Sequence, residues 1–230
     1  MKLEKITPKS EPRSRRYQDA CGAAHGLDLV GERWALLVVR ELMMGPRRFN
    51  DLRRDLSGLS ANVLTQRLEG LEASGILRRR KLPPPASVQV YELTAWGYEI
   101  EPVFMVLGRW AARSPGHDPS LPLSAVSIMM SLKTMFDAER AGQARMTLGF
   151  VLGEDQMVVT IADGRVETRR GEAQGAQVTI HASAAVLGAA IYGEVPLQAL
   201  EASGDMMIEG DRAVFERFID LFHLPPKVSA

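Results

Sequence analysis

The sequence predicts two domains of different class, a mainly α winged helix-turn-helix followed by an α+β layer. Three observations carry this. Between residues 47 and 93, two short amphipathic segments separated by Ser57-Gly58 precede two β-rich runs that flank three consecutive prolines. After residue 138 the apolar spacing changes from helical to alternating, and strands come before helices. Formal charge divides the same way: residues 1–115 hold 19 Lys and Arg against 13 Asp and Glu, whereas residues 116–230 hold 9 against 15. The halves are therefore +6 and −6 within a neutral chain of 230 residues, which places a phosphate-seeking surface in the first half.

Residues 1–16 are charged, contain proline and show no periodicity, so a flexible arm is expected. Arg13, Arg15 and Arg16 lie in it, and a solvated tail is favoured over a DNA contact. From Tyr17 the chain reads as helical. Leu27, Val30, Trp34, Leu37 and Val38 share a face, Gly31 separates two helices, and Leu42 to Pro46 ends the second.

Phe49, Leu52 and Leu56 then mark a short amphipathic helix. Ser60 is an N-cap and Ser74-Gly75 a left-handed stop, which predicts a helix over 61–74. On it Leu64, Leu68 and Leu71 fall on one stripe, Asn62, Gln66 and Glu69 lie opposite, and Thr65 flanks them. Amide and hydroxyl groups near a helix start are suited to base edges in a major groove. This is the expected recognition helix.

Ile76-Leu77 opens a strand that runs into four consecutive cations, Arg78, Arg79, Arg80 and Lys81, and Val88 to Leu93 returns. Pro83-Pro84-Pro85 cannot join a ladder and belongs at the tip between them. A solvated surface usually mixes signs, so this run reads as a basic wing. The expected base readers are Asn62, Thr65 and Gln66 beside the cap Ser60, and the expected phosphate holders are Arg47, Arg48, Arg67 and the wing cations. Thr94 caps a further helix through Trp96, Ile100, Val103, Phe104, Val106, Leu107 and Trp110, whose apolar surface exceeds what one small domain needs and implies a partner subunit.

Several motifs in this order resemble the HxlR family of bacterial winged-helix regulators, relatives of the MarR group. They are Cys21, Leu27 to Trp34, Gly45-Pro46-Arg47-Arg48-Phe49, Leu64-Thr65-Gln66-Arg67-Leu68, Gly75-Ile76-Leu77, Tyr91 to Thr94 and Leu107-Gly108-Arg109-Trp110. The resemblance covers about residues 17–113. It implies a homodimer joined by the N-terminal and post-wing helices, with two recognition helices on a palindromic double-stranded operator. The family's usual proline after the cysteine is Gly22 here. In several members the matching cysteine senses oxidants or electrophiles, so Cys21, with His25 four residues on, has two readings, a redox sensor or a small buried hydrophobe.

Residues 114–124 form a Pro-rich linker. Over 125–138, Ile128, Leu132, Met135 and Phe136 predict an amphipathic helix. Strands are expected at 146–152, 156–161, 165–168 and 177–180, with Asp163-Gly164 as a hairpin turn, then helices at about 183–192, 196–203 and 211–222 with a short strand at 206–208. The pattern over 125–225, with Asp163-Gly164, Gly193, Gly204 and Ile208 to Asp211 before a helix carrying Phe215, Phe218 and Phe222, resembles the sterol carrier protein 2 family. That resemblance implies an apolar tunnel for lipid-like molecules. Val186, Leu187, Ile191, Leu197, Leu200, Met207, Phe215, Phe218 and Phe222 either line such a pocket or form core.

No Gly-rich phosphate loop, Gly-x-Ser-x-Gly elbow or His-Glu-x-x-His occurs, the four histidines are scattered, and one cysteine cannot build a Cys-rich metal site. The expectation is no catalysis, no cofactor and no metal. A lack of long apolar runs and of a leader-like start predicts a cytoplasmic protein with no membrane contact. The reading is a dimeric, repressor-like DNA-binding regulator whose second domain binds a hydrophobic effector or adds dimer contacts. The alternative is an apolar-ligand carrier or scaffold whose winged helix serves protein contacts.

Overall fold

The computed structural model describes residues 17–193 and 195–229. The expected N-terminal arm, with Arg13, Arg15 and Arg16, lies outside them. The first unit opens with α1 (Gly22–Val30) and α2 (Ala35–Leu42), broken at Gly31 as the spacing predicts. Then follow α3 (Phe49–Asp55), α4 (Ala61–Ala73), and the antiparallel strands β1 (Leu77–Lys81) and β2 (Gln89–Leu93), with Leu77 opposite Leu93. Arg47 extends this hairpin: its backbone exchanges hydrogen bonds of 2.9 and 2.8 Å with Tyr91.

The helix expected from Thr94 to Trp110 is two helices, α5 (Ala95–Tyr98) and α6 (Glu101–Ala112). Thr94 caps the first by accepting from the Gly97 amide at 3.0 Å. Pro102 lacks the N–H that would continue the ladder, so it begins a new helix instead. Gly97 is required where it stands, because a Cβ there would meet the Ile76 carbonyl oxygen at 2.0 Å.

The second unit comprises α7 (Ala125–Met135), α8 (Ala138–Ala141), β3 (Met146–Leu152), β4 (Asp155–Ala162), β5 (Arg165–Arg170), β6 (Val178–Ala182), α9 (Ala184–Tyr192), α10 (Leu197–Ala202), β7 (Met206–Gly210) and α11 (Arg212–Ile219). Its sheet has the order β5-β4-β3-β6-β7, antiparallel throughout except for β3 beside β6. Asp163 and Gly164 both have positive φ, 53° and 69°, which is the hairpin their sequence predicts. Phe150 of β3 packs on Phe218 of α11 with centroids 5.6 Å apart, and Phe218 meets Phe222 at 4.6 Å.

Helix α7 holds the two units together. The expectation was one apolar stripe, but Ala125 through Met130, Leu132 and Met135 are all buried. Its apolar residues wrap more than half of the circumference, leaving Ser127, Ser131 and Thr134 on one stripe, so more than one neighbour covers it. It packs on α2 and α6 of the first unit and on β5 and α9 of the second, and the buried residues of both units form one apolar core. Lys133 pairs with Glu101, and Arg109 Nη1 donates to the Thr134 carbonyl at 3.2 Å, fixing α6 against α7. Among the described residues no helix is long and apolar enough to cross a membrane.

Candidate nucleic-acid interface

Ser60 caps α4 by accepting from the Val63 amide at 3.3 Å, and Gly75, at φ 73°, ends the helix. Leu64, Leu68 and Leu71 are buried, while Asn62, Thr65, Gln66 and Glu69 are exposed. The apolar stripe thus turns the amide and hydroxyl groups outward, where the spacing predicts them. Arg48 is exposed at the start of α3, and its backbone amide donates to Asp51 Oδ2 at 3.3 Å. Arg53, absent from the sequence-based set, is exposed one helical turn further along. Its place outside the stripe of Phe49, Leu52 and Leu56 is the signal that marks it as outward-facing.

The wing is less free than four consecutive cations suggest. On a strand successive side chains alternate, so Arg78 and Arg80 share a side. Both reach Glu92 of β2, Arg78 Nε at 2.7 Å and Arg80 Nε at 2.5 Å. Burial works against the Glu92 carboxylate, yet the two guanidiniums outweigh it and hold its pKa below the usual range. Arg79 instead pairs with Glu72 of α4, Nη2 to Oε2 at 2.6 Å, and that hydrogen bond lowers the Glu72 pKa. All four cations remain exposed, and Lys81 forms no ion pair among the described residues. Arg79, Arg80 and Lys81 line a recess with Ser87 and Gln89 at the base of the proline tip.

Two expected phosphate holders are placed otherwise. Arg47 is buried, with its guanidinium between Asp55 of α3 and Asp155 of β4. Burial opposes its charge, but these two carboxylates more than offset that and raise its pKa. A guanidinium committed to two buried carboxylates and pinned through its backbone to Tyr91 does not face a duplex. Arg67 pairs with Glu32 at 3.0 Å and its side chain is only 17% exposed. At the middle of α4 it turns toward the α1–α2 connection, so it braces the helix-turn-helix from behind.

Cys21 is exposed and stands at the N-cap of α1, not within a helix, which removes the buried-hydrophobe reading. Its thiol makes no capping hydrogen bond, but the nearby Ala23 and Ala24 amides at the helix start lower its pKa. His25 meets Cys21 through a backbone bond of 3.1 Å from its own N–H to the Cys21 carbonyl. On α6, Val103, Val106, Leu107 and Trp110 are exposed, Val106 and Trp110 at 71% each, and Leu27 of α1 is exposed as well.

In the second domain Leu187, Ile191, Leu197, Leu200, Phe215, Phe218 and Phe222 are buried side chains of the core, and Val186 is half-buried against it. The phenylalanines pack on one another, Phe215 to Phe218 at 6.2 Å, which is core behaviour. Met207 is corrected: alternation on β7 buries Met206 and leaves Met207 49% exposed, away from any interior space.

Two family models match this chain. Residues 29–118 match the HxlR-like helix-turn-helix model, and residues 121–227, the α+β unit, match the alkyl sulfatase C-terminal model. The chain is 41% identical over 87 residues to sll1512 of Synechocystis sp., an HTH-type transcriptional regulator, a match covering 38% of this chain and 64% of that protein. It is 35% identical over 83 residues to the HTH-type transcriptional regulator YodB of Bacillus subtilis, covering 36% of this chain and 74% of YodB. Quinone-bound YodB, at 30% identity, covers 39% of this chain and 93% of that one with a TM-score of 0.35. The inverting sec-alkylsulfatase Pisa1 of Pseudomonas sp. is 21% identical, covering 45% of this chain and 17% of that one with a TM-score of 0.42. This chain therefore spans less than two thirds of sll1512 and less than a fifth of the sulfatase. By the winged helix-turn-helix of residues 29–118 and the length of YodB that it matches, the chain belongs to the HxlR-like helix-turn-helix transcriptional regulators.

Proposed function

We propose that this protein is a cytoplasmic, homodimeric regulator that binds double-stranded operator DNA through α4 and the wing, and whose second domain makes that binding responsive to an apolar small molecule. The observation that carries the DNA reading is the exposed set Asn62, Thr65 and Gln66 on a helix whose opposite stripe is fully buried, beside a wing of exposed cations. The dimer is supported by the exposed apolar face of α6, which a lone subunit would leave in water. The effector role is supported by the resemblance of the second domain to sterol carrier protein 2 and by its match to a domain of alkyl sulfatases.

The chain acts by binding, not catalysis. The carrier or scaffold alternative is disfavoured by the polar, uncrowded face of α4, which offers protein partners little apolar area.

A gel shift of the purified full chain on its own upstream DNA, repeated across salt, tests the reading. The expected result is a specific complex whose affinity falls steeply with salt. Equal, weak affinity for that DNA and for a scrambled duplex would overturn it.

A further inference from the structure

We propose that Glu72 and Glu92 are selectivity-determining residues, which hold the wing arginines in fixed directions, offset part of their charge, and so keep the wing from gripping duplex of arbitrary sequence. The inference rests on the DNA-binding role proposed above. It names two residues that act on DNA only through the arginines they hold.

Across the wing hairpin Glu92 stands opposite Arg78, and Arg80 is its diagonal neighbour on the same face. Arg78 Nε donates to Oε1 at 2.7 Å and Arg80 Nε to Oε2 at 2.5 Å, so one carboxylate spans two arginines. The Glu92 side chain is only 9% exposed. Water solvates such a carboxylate poorly, and it depends on these two partners.

The strand turns Arg79 to its other face, toward the last turn of α4. There Glu72 accepts twice from one residue, through Oε1 from the Arg79 backbone amide at 3.2 Å and through Oε2 from Arg79 Nη2 at 2.6 Å. Glu72 therefore ties the wing to the same helix that carries Asn62, Thr65 and Gln66.

Each wing arginine is thus committed to a carboxylate. Four cations against two carboxylates leave the wing at +2 instead of +4. A guanidinium has five N–H donors, so every one of these arginines keeps donors for a phosphate. What the carboxylates take away is freedom of direction and half of the net charge.

These effects fall unequally on operator and on random DNA. Non-specific affinity comes almost wholly from phosphates neutralised by cations, and its salt slope counts them. Lower charge and fixed directions both weaken it. On the operator, base contacts by α4 set the register of the duplex, and Glu72 sets the wing relative to α4. Arginines already held in place then meet their phosphates at a smaller ordering cost. Selectivity is the ratio of the two affinities, so the carboxylates raise it. A brace without an electrostatic role would act differently, because its loss would loosen the wing and weaken both duplexes together.

The test is fluorescence anisotropy of the full chain on its own upstream duplex and on a scrambled duplex, across salt, for the parent, Glu72→Gln and Glu92→Gln. Glutamine keeps the length and an accepting oxygen and removes the charge. Each variant should bind the scrambled duplex roughly threefold more tightly than the parent, with a salt slope steeper by about one unit. The upstream duplex should gain less, so the preference for it falls. Adding Arg79→Gln to Glu72→Gln should abolish the gain. The Glu72 side chain is the more exposed of the two, so Glu72→Gln decides the matter if Glu92→Gln does not fold. Unchanged or weaker binding of the scrambled duplex overturns the proposal, as does a gain that survives Arg79→Gln. A parent that binds both duplexes alike sinks the regulator reading, and the scrambled-duplex gain then still decides the proposal.

Discussion

Arg47 Nη1 donates to Asp155 Oδ1 at 3.0 Å, joining the entrance of the helix-turn-helix to the second domain across 108 positions of sequence. The contact is buried and shared: Asp55 and Arg170 complete it, and Arg54 reaches Glu154 of the same β3–β4 turn. Removing one member of such a cluster leaves another charged group buried without its partner. Arg47→Ala should destabilise the chain by about 3–5 kcal/mol. A double-mutant cycle with Asp155→Ala in urea should show strong coupling, and additive losses would mean that the two side chains do not interact in solution.

Gln66→Ala should change sequence preference at a cost of about 1–3 kcal/mol on operator DNA, with stability unaffected because the side chain is exposed. Loss of Arg79 or Lys81 should weaken operator and scrambled DNA alike and flatten the salt slope by about one unit per lost phosphate contact. Binding isotherms at several salt concentrations distinguish the two behaviours. A wing variant with an unchanged salt slope would remove the wing from the interface.

Val106→Asp places a carboxylate in the middle of the exposed apolar face of α6. Sedimentation should show dimer for the parent chain and monomer for the variant, with an unchanged melting temperature for each folded subunit. A variant that still sediments as the parent does would place the dimer contact elsewhere.

The helix-start amides that lower the Cys21 pKa stabilise its thiolate, so the thiolate fraction at neutral pH exceeds that of an ordinary cysteine. Iodoacetamide should therefore label Cys21 faster at neutral pH than it labels glutathione, with the rate falling off only at lower pH. A pH profile matching an unperturbed thiol would remove the effect of the amides.

Burial holds the Glu41 pKa above its ordinary value, so the folded chain binds a proton there more readily than the unfolded chain does. Between the ordinary and the raised pKa, stability from this group therefore increases as pH is lowered. Glu92 acts in the opposite sense: its lowered pKa contributes stability that is lost as pH falls through the folded value. The difference in melting temperature between the parent and Glu41→Gln isolates the first. It should move in favour of the parent as pH falls from neutral, and a pH-independent difference would show that Glu41 titrates normally.

Local patterns were enough for most elements and for the outward face of α4, though not for the break between α5 and α6 or for the short α8. Leu64, Leu68 and Leu71 recur at helical spacing, Ser60 and Gly75 supply the ends, and burying that stripe leaves Asn62, Thr65 and Gln66 no direction but outward. The alternation of β3 and the Asp163-Gly164 turn were legible for the same reason, because period and turn chemistry are properties of neighbouring residues. Arg47 shows where that reasoning stops. In sequence it is one more cation before a helix-turn-helix, and only the arrival of Asp155 from β4 turns it into an interior cross-link. The parallel pairing of β3 with β6 and the enclosure of α7 from both sides have the same origin. Each depends on groups far apart in the chain, and desolvation together with partner choice, set by the assembled core, decides what such groups do.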